Sequence, residues 1–300
     1  MSSSEDFNDT DDFEYYRYEP SLAAAIIFVV LFSVTTLLHM FQSFRKRAWF
    51  FIPFLIGGWC EIVGYIGRVL SSKDQEDRTA FIMQTLLLLL APAFYAASVY
   101  MILARIIILT DGQPFALVRP TWLTKIFVGG DVISLLMQGA GGGIMAGSDD
   151  DQDQQQLGEN VILGGLFVQI AFFGFFVLVS LLFQYRGRNH FPKLAPEITW
   201  RKHLYVLYGT SILILIRSIF RVIEYIQGNE GYLMSHEVFL YIFDAVLMLA
   251  VMVAMNIVHP GDIAIMLKGK NRRNSFVELQ PPEAVGEGHK YAAHGPGHVV

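Results

Sequence analysis

Between residues 21 and 258 the chain alternates long apolar runs with short polar connections. Seven runs stand out, at about 21–43, 49–70, 80–108, 122–146, 161–184, 203–227 and 236–258. Each is long enough to cross a bilayer core as a helix rising 1.5 Å per residue. The pattern predicts an all-α membrane protein, a seven-transmembrane helix bundle. The fourth run is the least regular: it holds Asp131 and Gln138 and ends in 139-GAGGG-143, which predicts a loosened or unwound helix end. Pro53 and Pro92 are expected to loosen two further helices.

Composition agrees with the pattern. Hydrophobic residues make up 53% of the 300 positions, charged residues 16%, and mean hydropathy is +0.43, values that exclude a soluble globule with one core. No basic segment with a small-residue cleavage site precedes the first run, so that span is expected to act as its own insertion signal. Cys60 is the sole cysteine; it rules out an intrachain disulfide and reads as a packed thiol.

The charges are segregated, and this fixes the expected orientation. Arg45, Lys46 and Arg47 follow the first run; Arg105, Arg119 and Lys125 bracket the third connection. Arg186, Arg188, Lys193, Arg201 and Lys202 lie around the fifth, and Lys268, Lys270, Arg272 and Arg273 follow the last run. On the opposite side, Glu5, Asp6, Asp9, Asp11, Asp12, Glu14 and Glu19 outnumber Arg17, and Asp149, Asp150, Asp151 and Asp153 follow the fourth run. The positive-inside rule then predicts the amino terminus outside and the carboxyl terminus in the cytoplasm. Removing the fourth span would destroy this alternation. Residues 1–19 are expected to be a disordered acidic extracellular tail, 20–262 the seven-helix domain, and 263–300 a disordered cytoplasmic tail. Asn8 heads a glycosylation sequon on the predicted outer side. The tail histidines His289, His294 and His298 read as spacer, because no acid or cysteine accompanies them.

Within the spans, ionisable and amide side chains are costly enough to be informative. Arg217, Arg221 and Glu224 recur at steps of four and three, hence on one helix face. Glu61 and Arg68 lie a heptad apart in the second span, Asp131 and Gln138 in the fourth, Glu237 and Asp244 in the seventh. Estimated by depth, most of these nine fall between the midplane and the outer surface. Two readings follow: ion pairs such as Asp244 with Arg217 or Arg221 that set helix register, or a polar cavity for a charged or amphipathic ligand. Arg68 and Glu224 lie close enough to the surface to snorkel. The echo of 61-EIVGYIG-67 in 221-RVIEYIQ-227 and of 41-FQSFRKR-47 in 183-FQYRGR-188 suggests a 3+1+3 parallel repeat, or coincidence between apolar helices.

Several chemistries lack their motifs. There is no phosphate-binding Gly-x-x-x-x-Gly-Lys-Ser/Thr, no Gly-x-Ser-x-Gly and no His-Glu-x-x-His. His39, His203 and His259 are expected at the cytoplasmic side and His236 at the outer side, so no intramembrane zinc triad forms. Arg105 and 256-NIVHP-260 evoke receptor switch motifs only in topology, since Ala104 replaces the acid before the arginine.

The segments 18-YEPSLAAAIIF-28, 49-WFFIPFLIGGWCEIVGYIGR-68, 84-QTLLLLLAPAFYAASVYM-101, 121-TWLTKIFVGGDVISLLMQGAGGG-143, 217-RSIFRVIEYIQGNEGYLMSHEVFLYIFDA-245 and 256-NIVHPGD-262 together resemble the fungal RTA-like proteins of the lipid-translocating exporter family. The resemblance implies a seven-helix protein of the plasma membrane that moves, or confers resistance to, lipids and toxic amphiphiles such as sphingoid bases, with sterol-like or porphyrin-like compounds as further ligands. It implies no catalytic residue, cofactor or nucleic-acid partner. A sensor or receptor signalling through the basic loops, or a regulator of other lipid transporters, is the alternative. The expected ligand-facing residues are Glu61, Arg68, Asp131, Gln138, Arg217, Arg221, Glu224, Glu237 and Asp244.

Overall fold

The structure, a computed structural model, describes residues 21–72, 78–147, 152–191, 200–227 and 237–278. The Asn8 sequon, His236 and the tail histidines lie outside the described residues. Seven helical stretches are long and apolar enough to cross a membrane, as the hydropathy pattern predicts, and no strand occurs among the described residues.

Helix α1, Leu22–Lys46, starts where Ser21 is extended and its hydroxyl accepts the Ala24 N–H, which satisfies one orphan donor of the first turn. It closes at Arg47, whose φ of 50° lets its N–H reach the Phe44 carbonyl. A 3₁₀ turn at Trp49–Phe51 leads into α2, Ile52–Ser71. Pro53 sits in the first turn of α2, where its missing N–H costs no hydrogen bond, so it starts a helix rather than loosening one. Helix α3, Arg78–Leu109, runs on through Pro92.

Helix α4, Pro120–Gly147, is also continuous through 139–143, so the expected unwound end is absent. The cause is α5, Gln152–Gly187, packed against it at backbone distance. A Cβ on Gly141 would stand 2.6 Å from the Gly158 carbonyl oxygen, and one on Gly158 would stand 2.8 Å from that of Gly141. The glycines let two helices touch; they do not break one.

Helix α6 is Trp200–Gln227. The seventh span, α7, comprises three consecutive pieces: an α-helical turn Glu237–Leu240, a π-helical segment Tyr241–Val246 and an α-helix Leu247–Ile257. The irregular backbone of this bundle therefore lies in α7, around Asp244, and not in α4.

Beyond α7 the chain forms α8, Gly261–Glu278, which corrects the expectation of disorder for residues 263–278; the rest of the expected tail lies outside the described residues. Ile263 and Ala264 are buried, Lys46 pairs with Asp262 at 2.7 Å, and Lys270 reaches Asp111 at 2.6 Å and the Leu109 carbonyl at 3.0 Å. A cation at the carbonyl end of α3 complements its dipole. These polar anchors carry no apolar stripe, which is why periodicity missed the helix.

Neighbours in sequence are neighbours in space around the bundle, and α7 closes it against α1 and α6. Helix α3 is the most buried span and packs on α2, α4, α5 and α6. One outer face of α1 is wholly apolar and exposed, with Ile27, Val30, Val34, Leu37 and Phe41, as a lipid-facing surface requires. The α4–α5 contact yields a prediction. Gly141→Ala should destabilise the protein by about 1–3 kcal/mol through overpacking, whereas Gly142→Ala, with no atom of the described residues within 4 Å of the added Cβ, should stabilise it by up to about 1 kcal/mol. Thermal unfolding of the two variants in detergent measures both signs.

Candidate functional site

Three helices bring their polar faces together near the middle of the bundle. From α6, Arg217 is 2% exposed; its Nε donates to Asp244 Oδ1 and its Nη2 donates to the Leu88 carbonyl at 2.7 Å. Arg221, one turn on, donates from Nη2 to Asp244 Oδ2 at 2.6 Å and from Nη1 to Glu224 Oε2 at 2.9 Å. Asp244, 1% exposed, thus bridges two guanidinium groups from the π-helical segment of α7. Such a segment widens one turn of the helix and recurs where a side chain must be presented at a functional site.

From α2, Glu61 faces this group. It is 1% exposed and lies in the electrostatic field of Asp244, Arg217 and Arg221. Tyr65, one turn along α2, is wholly buried beside it. Closer to the amino end of α1 comes a second set: Arg68 donates from Nη2 to Glu237 Oε1 at 2.7 Å and from Nε to the Tyr241 hydroxyl at 3.0 Å. The Ser21 N–H, at the start of α1, donates to both oxygens of Glu237 at 2.9 and 3.0 Å. Phe28, Tyr65 and Tyr241 stack between the two sets, with centroids 5.3–6.3 Å apart. The expectation that Arg68 snorkels is wrong: it is 0% exposed, because Glu237 and Tyr241 supply internal partners. Glu224 is also buried, held by Arg221.

Asp131 and Gln138 stand apart from this network. Tyr100 donates to Asp131 Oδ2 at 2.9 Å, between α3 and α4. Gln138 Nε2 donates to Ser134 Oγ at 2.7 Å and to Gln169 Oε1 at 3.2 Å, and Ser134 donates to the Gly165 carbonyl at 2.7 Å. These bonds join α3, α4 and α5. Seven of the nine expected residues therefore converge on α2, α6 and α7, and two belong to a separate polar seam.

Sequence reasoning missed Tyr241, Tyr65 and Tyr100, because tyrosines in an apolar span look like packing. The single signal for Tyr241 was its position between Glu237 and Asp244 at helical spacing. A third polar cluster sits at the opposite end of the bundle. His39 and His259 rings are 5.7 Å apart, His39 Nε2 lies 3.0 Å from the Met252 carbonyl, and the Gly261 N–H donates to His259 Nδ1. These histidines hold α1, α7 and α8 together.

The fold and site define a seven-helix membrane protein with a buried charge network. The family model described as RTA1 like protein matches residues 54–266, and the chain belongs to that family. It is 40% identical over 285 residues to protoporphyrin uptake protein 1 of Saccharomyces cerevisiae, covering 82% of this chain and 91% of that one. It is 36% identical to Protein RTM1 of the same species, covering 79% and 89%. It is 29% identical to the sphingoid long-chain base transporter RSB1 of that yeast, covering 81% and 72%. No solved structure matches the chain.

The network carries a stability prediction. Asp244→Leu should cost about 3–5 kcal/mol, because Arg217 and Arg221 keep buried charges without their shared carboxylate. Adding Arg217→Met to Asp244→Leu should recover part of that loss. A double-mutant cycle by thermal unfolding reads the coupling, and additive losses would show that the pair does not interact.

Proposed function

We propose that this protein translocates an amphiphile with a charged head group across the membrane, a sphingoid-base-like amine being the leading candidate, and so confers resistance to it. Membership in a family whose relatives are named for transport or uptake supports membrane transport of lipids or related compounds in general terms. The observation that carries the finer reading is the concentration of Glu61, Arg217, Arg221, Glu224 and Asp244, packed together within the bundle. Charges in a membrane interior are expensive, and they cluster where a polar substrate must pass. An ammonium group would be met by acidic side chains from α2 and α7, with Arg217 and Arg221 paired to Asp244 and Glu224. Arg68, Glu237 and Tyr241 form the next polar set toward the amino end of α1. The charge distribution supports an external amino terminus and a cytoplasmic carboxyl terminus, in keeping with a plasma-membrane location and glycosylation at Asn8. Asp131 and Gln138 serve the α3–α4–α5 seam in this reading and do not touch substrate.

Release of labelled sphingosine from liposomes holding the purified protein tests it. The wild-type protein should accelerate release, and Asp244→Asn and Arg217→Gln should each slow it about tenfold or more, the rate equivalent of about 1.4 kcal/mol, while still eluting as folded protein. No protein-dependent flux would overturn the proposal in favour of a sensor or regulator. Undiminished flux in both variants would reduce the network to helix pairing.

A further inference from the structure

Among the described residues, every charged side chain of this layer except Glu61 has an ion-pair partner. Asp244 accepts from both arginines and Glu224 accepts from Arg221. Two guanidinium groups are thereby matched by two carboxylates, and each arginine has an acidic partner. Glu61 is the third carboxylate of the layer and takes part in no ion pair among the described residues. Its Oε1 is buried without a hydrogen-bond partner. The Tyr65 hydroxyl, one turn along the same face of α2, is likewise buried without a partner. Leaving such groups unmet costs about 1–3 kcal/mol each, and more for a charge. Single unmet atoms also occur on Arg221, Asp131 and Gln138, but those side chains make other hydrogen bonds. A buried carboxyl with no hydrogen bond or ion pair among the described residues calls for a specific explanation, and a ligand is one.

The charges around Glu61 come from two helices. Helix α6 presents Arg217 and Arg221, and α7 presents Asp244. Helix α3 presents Tyr95, whose hydroxyl is already used, donating to Met252 Sδ at 3.2 Å. On α2 itself Cys60 and Tyr65 flank Glu61. Helix α1 contributes Phe28 and Phe32, both stacked on Tyr65 with centroids 5.6 and 5.5 Å away, and Thr36; none of these titrates. With Glu61 protonated the five charged positions sum to neutral. With Glu61 ionised the layer carries one uncompensated negative charge inside the bundle, which only a cation offsets.

We infer that Glu61 is an exchange site at which a proton and the ammonium group of an amphiphilic amine compete, so that amine movement is coupled to a proton moving the other way. The inference rests on the translocator reading above and adds a driving force to it. Arriving ammonium ion-pairs with the ionised carboxylate and donates to the Tyr65 hydroxyl. The proton that Glu61 gives up passes to water. When the amine leaves, a proton returns to Glu61. No bond other than O–H is made or broken.

Calorimetry of sphingosine binding to the detergent-purified protein tests the exchange, run at pH 6 in buffers of different ionisation enthalpy. At that pH the free amine is fully charged, its ordinary pKa being about 10, so any proton released comes from the protein. Wild type should release close to one proton per amine bound. Glu61→Gln should release none and bind at least tenfold more weakly, with an affinity that no longer rises with pH. Glu61→Asp keeps a carboxylate and should keep the release, with its pH midpoint moved. If Glu61→Gln fails to fold, the moved or unmoved midpoint of Glu61→Asp decides the assignment. Binding without proton release overturns the exchange and leaves translocation standing. Absence of any binding by wild type removes the translocator reading itself.

Discussion

One carboxylate organises the middle of this bundle. Asp244 holds a guanidinium on each oxygen, and through Arg217 and Arg221 it fixes the rotation of α6 against α7 while Arg217 reaches the Leu88 carbonyl of α3. Removing a charge from water is costly, and the cost is recovered only when geometry and further hydrogen bonds are nearly complete. That demand explains the neighbouring features. The π-helical segment Tyr241–Val246 carries Asp244 on a widened turn. Close approach of α2 to α3 at Gly57 and Gly64, where a Cβ would lie 2.7 Å from Tyr95 and Leu88 side chains, brings Glu61 within the field of the pair.

The arrangement is asymmetric in a way that a purely structural network would not need. If the charges only set helix register, each buried group would be expected to end with a partner, as Arg68 does with Glu237 and Tyr241. Glu61 and Tyr65 instead lie buried beside the ion bridge, with no hydrogen bond joining the Glu61 Oε1 atom or the Tyr65 hydroxyl to any described residue.

Much of this was legible in the sequence, and the limits have physical causes. The seven spans follow from hydropathy because a bilayer imposes a length on each helix. The Asp244–Arg217–Arg221 association follows from the cost of burying charge, which forces opposite charges in different spans to meet. What hydropathy and helical spacing do not encode is lateral position. Asp131 and Gln138 share the spacing of the other polar residues, yet α4 turns them toward Tyr100 and Gln169. The glycine run 139–143 looked like a broken helix because glycine weakens an isolated one, whereas contact with Gly158 on α5 makes it a packing surface. The π-helical turn left no mark in the pattern. Helix α8 was missed because ion pairs and a carbonyl cap anchor it, not an apolar stripe.

The central claim is that an amphiphile's head group enters the bundle beside α2, α6 and α7 rather than riding on its lipid-facing surface. Photo-crosslinking with a sphingosine bearing a diazirine near its amine, followed by peptide mass spectrometry, addresses this directly. The account predicts adducts on residues around Glu61, Tyr65 and Arg217, competed away by unlabelled sphingosine. Adducts confined to outward-facing side chains such as Ile27, Leu37 and Leu136, which are exposed on the bundle's exterior, and insensitive to competition would contradict it.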